Sequence, residues 1–178
     1  IVKQLTQLMG ATLDVKSKQG TGTTFTIHWT LPLAQPETCP DHVKPQPETQ
    51  ILSGKRVLLA EDHPLNAMIA KKMLEKAGIF VITTQNGQEA LDAFKSVVPN
   101  YFDAILMDIR MPVMDGLKAT RAIRALNRPD AGAIPIIAMT ANAFDSDKAE
   151  TKKAGMNTHL TKPIEPPILY ATLARLIQ

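Results

Sequence analysis

Met107-Asp108-Ile109-Arg110-Met111-Pro112-Val113-Met114-Asp115-Gly116 is the stretch on which the fold turns. The apolar run Ala104-Ile105-Leu106-Met107 leads into a carboxylate at Asp108, and a proline and a glycine then bend the chain before a helical pattern begins at Leu117. A short apolar run that stops at a charge and a turn reads as a strand buried on both faces, with its polar end at the rim of a sheet.

The same pattern recurs on either side. Val57 to Ala60, Phe80 to Ile82, Ile134 to Met139 and His159-Leu160 are further strand candidates. Between and after them, Asn66 to Ala77, Gln88 to Val98, Leu117 to Leu126, Asp145 to Ala154 and Ile168 to Ile177 carry helical periodicity, with Gly78 and Gly155 as terminators. Strand followed by helix, five times over residues 54–178, predicts an α/β domain: a doubly wound parallel five-stranded sheet with helices on both faces. Such sheets bind ligands beyond the carboxyl ends of their strands.

The residues predicted there are chemically pointed. The first strand ends in Glu61-Asp62, the third in Asp108, the fourth in Thr140, and the fifth runs straight into Lys162-Pro163. Three carboxylates brought together repel one another unless a hard divalent cation lies among them. Oxygen donors without histidine or cysteine favour Mg²⁺. Metal, ammonium and hydroxyl together suit a phosphoryl group, and Asp108 is placed to attack phosphorus and become an acyl phosphate.

At this point the sequence resembles the receiver domains of two-component response regulators. The resemblance rests on Glu61-Asp62, on the stretch from Met107 to Gly116, on Met139-Thr140-Ala141-Asn142-Ala143 and on Leu160-Thr161-Lys162-Pro163, and it covers residues 55–178. It implies a flavodoxin-like (βα)₅ fold in which Asp108 takes phosphate from a histidine. By the same resemblance Asp62, Asp108 and the Arg110 backbone carbonyl hold Mg²⁺ directly, Glu61 acts through water, Thr140 reports the phosphate, Lys162 pairs with it, and a cis peptide precedes Pro163. The partner implied is a histidine-containing phosphodonor, either a kinase dimerisation domain or a histidine phosphotransfer protein. The family usually carries an aromatic residue three positions before the lysine; here that position is His159, expected to reorient with Thr140 as the switch.

Upstream, five of the thirteen prolines (Pro32, Pro36, Pro40, Pro45, Pro47) fall in a polar stretch, so residues 32–53 read as an extended Pro-rich linker. Before it, Ile1, Leu5, Leu8 and Met9 repeat at helical spacing up to Gly10, and two alternating segments, 12–16 and 25–31, flank Gly20-Thr21-Gly22 as a hairpin. Residues 1–31 carry a second, weaker resemblance, to the last helix and closing hairpin of a histidine-kinase ATPase domain. Together the two resemblances imply a hybrid sensor histidine kinase, a phosphotransferase, cut inside its ATPase domain. The ATP-binding pieces are missing, and none of His28, His42, His63 or His159 stands in a helical His-Glu context. The expectation is a chain that catalyses only the phosphorylation and dephosphorylation of its own aspartate.

Composition agrees with a cytoplasmic module. Of 178 residues 44% are apolar and 21% charged, with a net charge of +3, and the start Ile1-Val2-Lys3-Gln4 is neither an initiator methionine nor a signal peptide. Basic residues are interspersed with acids, so no nucleic-acid partner is expected, and nothing approaches a membrane span, so no direct membrane contact is expected. One cysteine, Cys39, excludes a disulfide framework. Two other readings compete. A haloacid-dehalogenase-type hydrolase also uses an aspartate nucleophile and Mg²⁺, but it needs an acid two residues further on, where this chain has Arg110. A vestigial interaction module would not need every site residue in place. Asp115 and Gly116 read as structural, a helix cap and a turn.

Overall fold

Parallel strands that must be covered on both faces are what the apolar runs deliver. The computed structural model describes residues 6, 10–30, 47–141 and 145–177. Its chain divides into two compact units, residues 1–42 and 43–178.

In the first unit β1 (Thr12–Lys18) pairs antiparallel with β2 (Gly22–His28), with Leu13 opposite Ile27 and Val15 opposite Phe25. Gly20 (φ 80°) and Gly22 (φ 109°) supply the left-handed backbone of the turn, so the predicted hairpin is present. The helix predicted before it lies almost wholly outside the described residues. Its predicted terminator, Gly10, has φ 67°, and the Ala11 N–H reaches back to the Thr6 carbonyl at 2.8 Å, the six-to-one closure of a helix ending on a left-handed residue.

The second unit opens with α1 (Pro47–Leu52), inside the segment read from composition as an extended linker. Proline is compatible with a helix at its first position, where no backbone donor is required, and Leu52 is fully buried in the core that α1 shares with the sheet. Then follow β3 (Arg56–Ala60), α2 (Pro64–Lys76), β4 (Phe80–Thr84), α3 (Gly87–Ser96), β5 (Ala104–Asp108), α4 (Gly116–Arg124), β6 (Ile136–Thr140), α5 (Asp145–Ala154), β7 (Thr158–Thr161) and α6 (Pro166–Leu176). The five strands from β3 onward form one parallel sheet in the order β4-β3-β5-β6-β7. All five predicted strand–helix repeats are present.

Alternate residues of each strand enter opposite cores. Val57, Leu59, Leu106, Ile137 and Met139 pack with Leu74 of α2 and Leu169 and Leu173 of α6. Leu58, Ala60, Ile105, Met107 and Ala138 pack with Leu91 and Phe94 of α3 and Ile123 of α4. Because β3 and β5 are neighbours while the chain leaves β3 to build the β4 edge, the strand order reverses between them. A crevice must open there at the carboxyl ends.

Candidate functional site

Each predicted residue at that crevice is delivered by a strand end. Asp108 is the last residue of β5 and is buried. Its Oδ1 accepts the Arg110 backbone N–H at 3.1 Å, and its Oδ2 accepts Lys162 Nζ at 2.5 Å. The loop that follows can turn this tightly only because residue 116 has no side chain: a Cβ there would sit 2.1 Å from the Asp108 carbonyl oxygen. Asp115 caps α4 by accepting the Lys118 N–H at 2.8 Å, the structural part expected of it.

Glu61 follows β3 directly and is 3% exposed. Its Oε2 accepts Lys162 Nζ at 2.5 Å, and its Oε1 accepts the Asn66 side-chain amide at 3.0 Å. Asp62 is exposed, yet one oxygen from each of Glu61, Asp62 and Asp108 lies within 4.8 Å of the other two. Among the described residues this is the one place where three such groups converge. Lys162 follows β7; its backbone N–H is held by the carbonyl of Thr140, the last residue of β6, at 2.8 Å, and its peptide bond to Pro163 is cis. Thr140 is buried at the same rim. His159 stands half-buried in β7, two register steps from the rim and beside Ala138. The Arg110 side chain is exposed. Asn142 and Ala143 of the fourth-strand motif lie outside the described residues.

The electrostatics follow from this packing. Burial raises the pKa of Asp108, more than the hydrogen bond and charge of Lys162 and the Arg110 N–H lower it. Burial by itself would lower that of Lys162, but its hydrogen bonds to Asp108 and Glu61 prevail, and its pKa stands above the ordinary lysine value. The lysine is therefore an ammonium at any physiological pH, shared between two carboxylates. Three carboxylates against one ammonium leave a local charge of −2, which a divalent cation balances, and every donor is oxygen. The residues present fit Mg²⁺.

Beside the ammonium lies a cavity of about 160 Å³ lined by Glu61, Asn66, Ile69, Lys162 and Ile164, among others. Pockets for drug-sized ligands and cofactors run to roughly 300–1,000 Å³, so this one matches a phosphoryl group or a side chain better than a nucleotide. Asn66 is the contact that sequence reasoning missed. An amide in the first turn of the helix that leaves an acidic strand end was the available signal.

Comparison with known proteins covers the stretch of chain that carries these residues. The profile of the response regulator receiver domain matches residues 57–174. Hybrid signal transduction histidine kinase I of Dictyostelium discoideum is 40% identical over 124 residues, 67% of this chain and 7% of its own length. The aerobic respiration control sensor protein ArcB of Escherichia coli K12 is 35% identical over 175 residues, 98% of this chain and 22% of its own length. The chain thus spans less than a quarter of either relative. Among solved structures, the receiver domain of sensor histidine kinase PA1611 from Pseudomonas aeruginosa, with a magnesium ion in its active-site cleft, is 40% identical (TM-score 0.63, covering 70% of this chain and 98% of that one). The receiver domain of Saccharomyces cerevisiae Ssk1, crystallised with the histidine phosphotransfer protein Ypd1, is 28% identical (TM-score 0.61, covering 69% and 89%).

Proposed function

The chain belongs to the response regulator receiver family, and on that footing we propose that residues 54–178 are the phosphoacceptor domain of a hybrid sensor histidine kinase, taking a phosphoryl group from a histidine onto Asp108. The observation that carries this reading is the pair of contacts from Lys162 Nζ to Asp108 and Glu61, joining residues 54 and 101 positions apart. A lysine so placed can pass from carboxylate to phosphoryl oxygen with little movement.

In the proposed step an Asp108 carboxylate oxygen attacks phosphorus, the P–N bond to the donor imidazole breaks, and the imidazole nitrogen takes up a proton as it leaves. Lys162 then pairs with the phosphoryl group. Asp62, Asp108 and the Arg110 carbonyl are the proposed metal ligands, with Glu61 acting through water. Bound there, Mg²⁺ supplies positive charge against the transferring oxygens. Thr140 and His159 are proposed to carry the change from the site toward β7 and its flanking helices, Thr140 by moving onto the added charge and His159 by turning into the space vacated.

For a partner, the site favours a protein that presents a histidine on a helical surface. Leu65, Met68 and Ile69 are exposed on one face of α2, and Ile69 also lines the cavity beside Lys162, so apolar docking area adjoins the chemistry. Residues 1–31 are proposed as the last helix and closing hairpin of a kinase ATPase domain, a reading supported by the likeness to a sensor protein over 98% of this chain. Among the described residues no helix is long and apolar enough to cross a membrane.

The test is direct. A histidine phosphotransfer protein carrying radiolabelled phosphohistidine should pass its label to this chain in the presence of Mg²⁺ and much more slowly in EDTA. Label that stays on the donor under both conditions would remove the proposal.

A further inference from the structure

Lys162 cannot serve Glu61 and a phosphoryl group equally. In the present arrangement its ammonium spans Glu61 Oε2 and Asp108 Oδ2 at 2.5 Å each. A phosphoryl group on Asp108 presents several charged oxygens to the same three N–H donors. As the ammonium turns to them, Glu61 loses the partner of one oxygen while remaining 3% exposed. The terminal torsion of a glutamate is broad, so a carboxylate held by one contact swings readily.

Its other contact comes from Asn66. The donor can only be the amide nitrogen, because an ionised carboxylate accepts and does not donate. Asn66 stands on the third residue of α2, whose first turn is fixed by Pro64 and by the Ala67 N–H on the His63 carbonyl at 3.0 Å. The Asn66 Nδ2 to Glu61 Oε1 bond, 3.0 Å long, therefore ties a buried acid to a rigid point that takes no part in phosphoryl transfer.

We propose that Asn66 is a positioning residue: its side-chain amide holds the Glu61 carboxylate toward the metal when Lys162 moves to the phosphoryl group. This rests on the phosphoacceptor reading given above. Contacts that hold a direct ligand are typically worth about 10- to 100-fold in metal affinity; Glu61 reaches the metal through water, so the effect here falls at the lower end of that range.

The experiment is a double-mutant cycle read by calorimetric Mg²⁺ titration of the full chain. Asn66→Leu should weaken Mg²⁺ binding roughly tenfold when Glu61 is present, and by less than about twofold in a Glu61→Ala background, because nothing is then left to hold. Asn66→Ala serves in the same cycle if the leucine variant does not fold. Wild-type affinity in the single variant, or an equal loss in both backgrounds, would overturn the role of Asn66. Wild type that binds no Mg²⁺ and gains no phosphate from acetyl phosphate would instead overturn the phosphoacceptor reading, and this inference with it.

Discussion

Val113 shows what the loop after β5 costs. It has φ 65° and is 86% exposed, and the Met114 N–H closes on the Pro112 carbonyl at 2.7 Å, a three-residue turn centred on a β-branched residue in the left-handed region. Such a conformation costs about 1–3 kcal/mol, while glycine in its place gives back only about 0.5–1 kcal/mol through unfolded-state entropy. Val113→Gly should therefore raise stability by roughly 1 kcal/mol in urea unfolding, and a loss of stability would show that the turn is unstrained. At this scale the sequence was eloquent about the site. That Glu61, Asp62, Asp108, Thr140 and Lys162 meet at one rim was legible because each ends or follows an apolar run of a parallel sheet, and their combination is harder to explain by structure than any one alone. The contact of Asn66 with Glu61 was not, since an asparagine near a helix start has several ordinary uses.

Among elements, α1 is the one composition concealed. A window holding five prolines reads as extended chain, yet the helix begins on the last of them, and the apolar Leu52 that completes it is fully buried. Two adjacent apolar residues, Ile51 and Leu52, at the end of a six-residue segment are too little periodicity to detect. Removing a large buried side chain costs roughly 2–5 kcal/mol. A chain starting at Gly54 should accordingly be less stable than one starting at Val43 by about that amount in chemical denaturation, whereas equal stability would return α1 to the linker. The inner strands β3, β5 and β6 were legible for the opposite reason: burial on both faces makes nearly every position apolar, so existence and approximate extent could be read. The order β4-β3-β5-β6-β7 could not be read from periodicity, because runs buried on both faces carry no mark of their neighbours, and it entered only through the family likeness.

The whole domain is tied together by contacts whose partners are remote in sequence. Arg128 stacks on the Phe94 ring at 4.2 Å, donates to the carbonyls of Phe94, Val97 and Val98 at the end of α3, and pairs at two points with Asp130, which also receives the Asn100 N–H. The Arg128 hydrogen bond holds Asp130 below the ordinary carboxylate pKa of 3.8. A depressed folded-state value contributes stability that is fully present above 3.8 and disappears as pH falls through the lower, folded value. Arg128→Met should cost about 1–3 kcal/mol at neutral pH, by leaving the Asp130 carboxylate with the Asn100 N–H but without its cation, and should lose less than wild type on further acidification below pH 4; thermal unfolding against pH reads both, and a wild-type acid limb in the variant would contradict this. Two residues apart on a loop, the pair gives no hint in sequence that it fastens a helix 30 positions upstream. The claim on which the functional account depends is that Asp108 is the phosphoacceptor, and intact-mass measurement after incubation with acetyl phosphate and Mg²⁺ tests it most directly: wild type should gain ~80 Da, the mass of one phosphoryl group, and Asp108→Asn none, whereas the same gain in the variant would contradict the account.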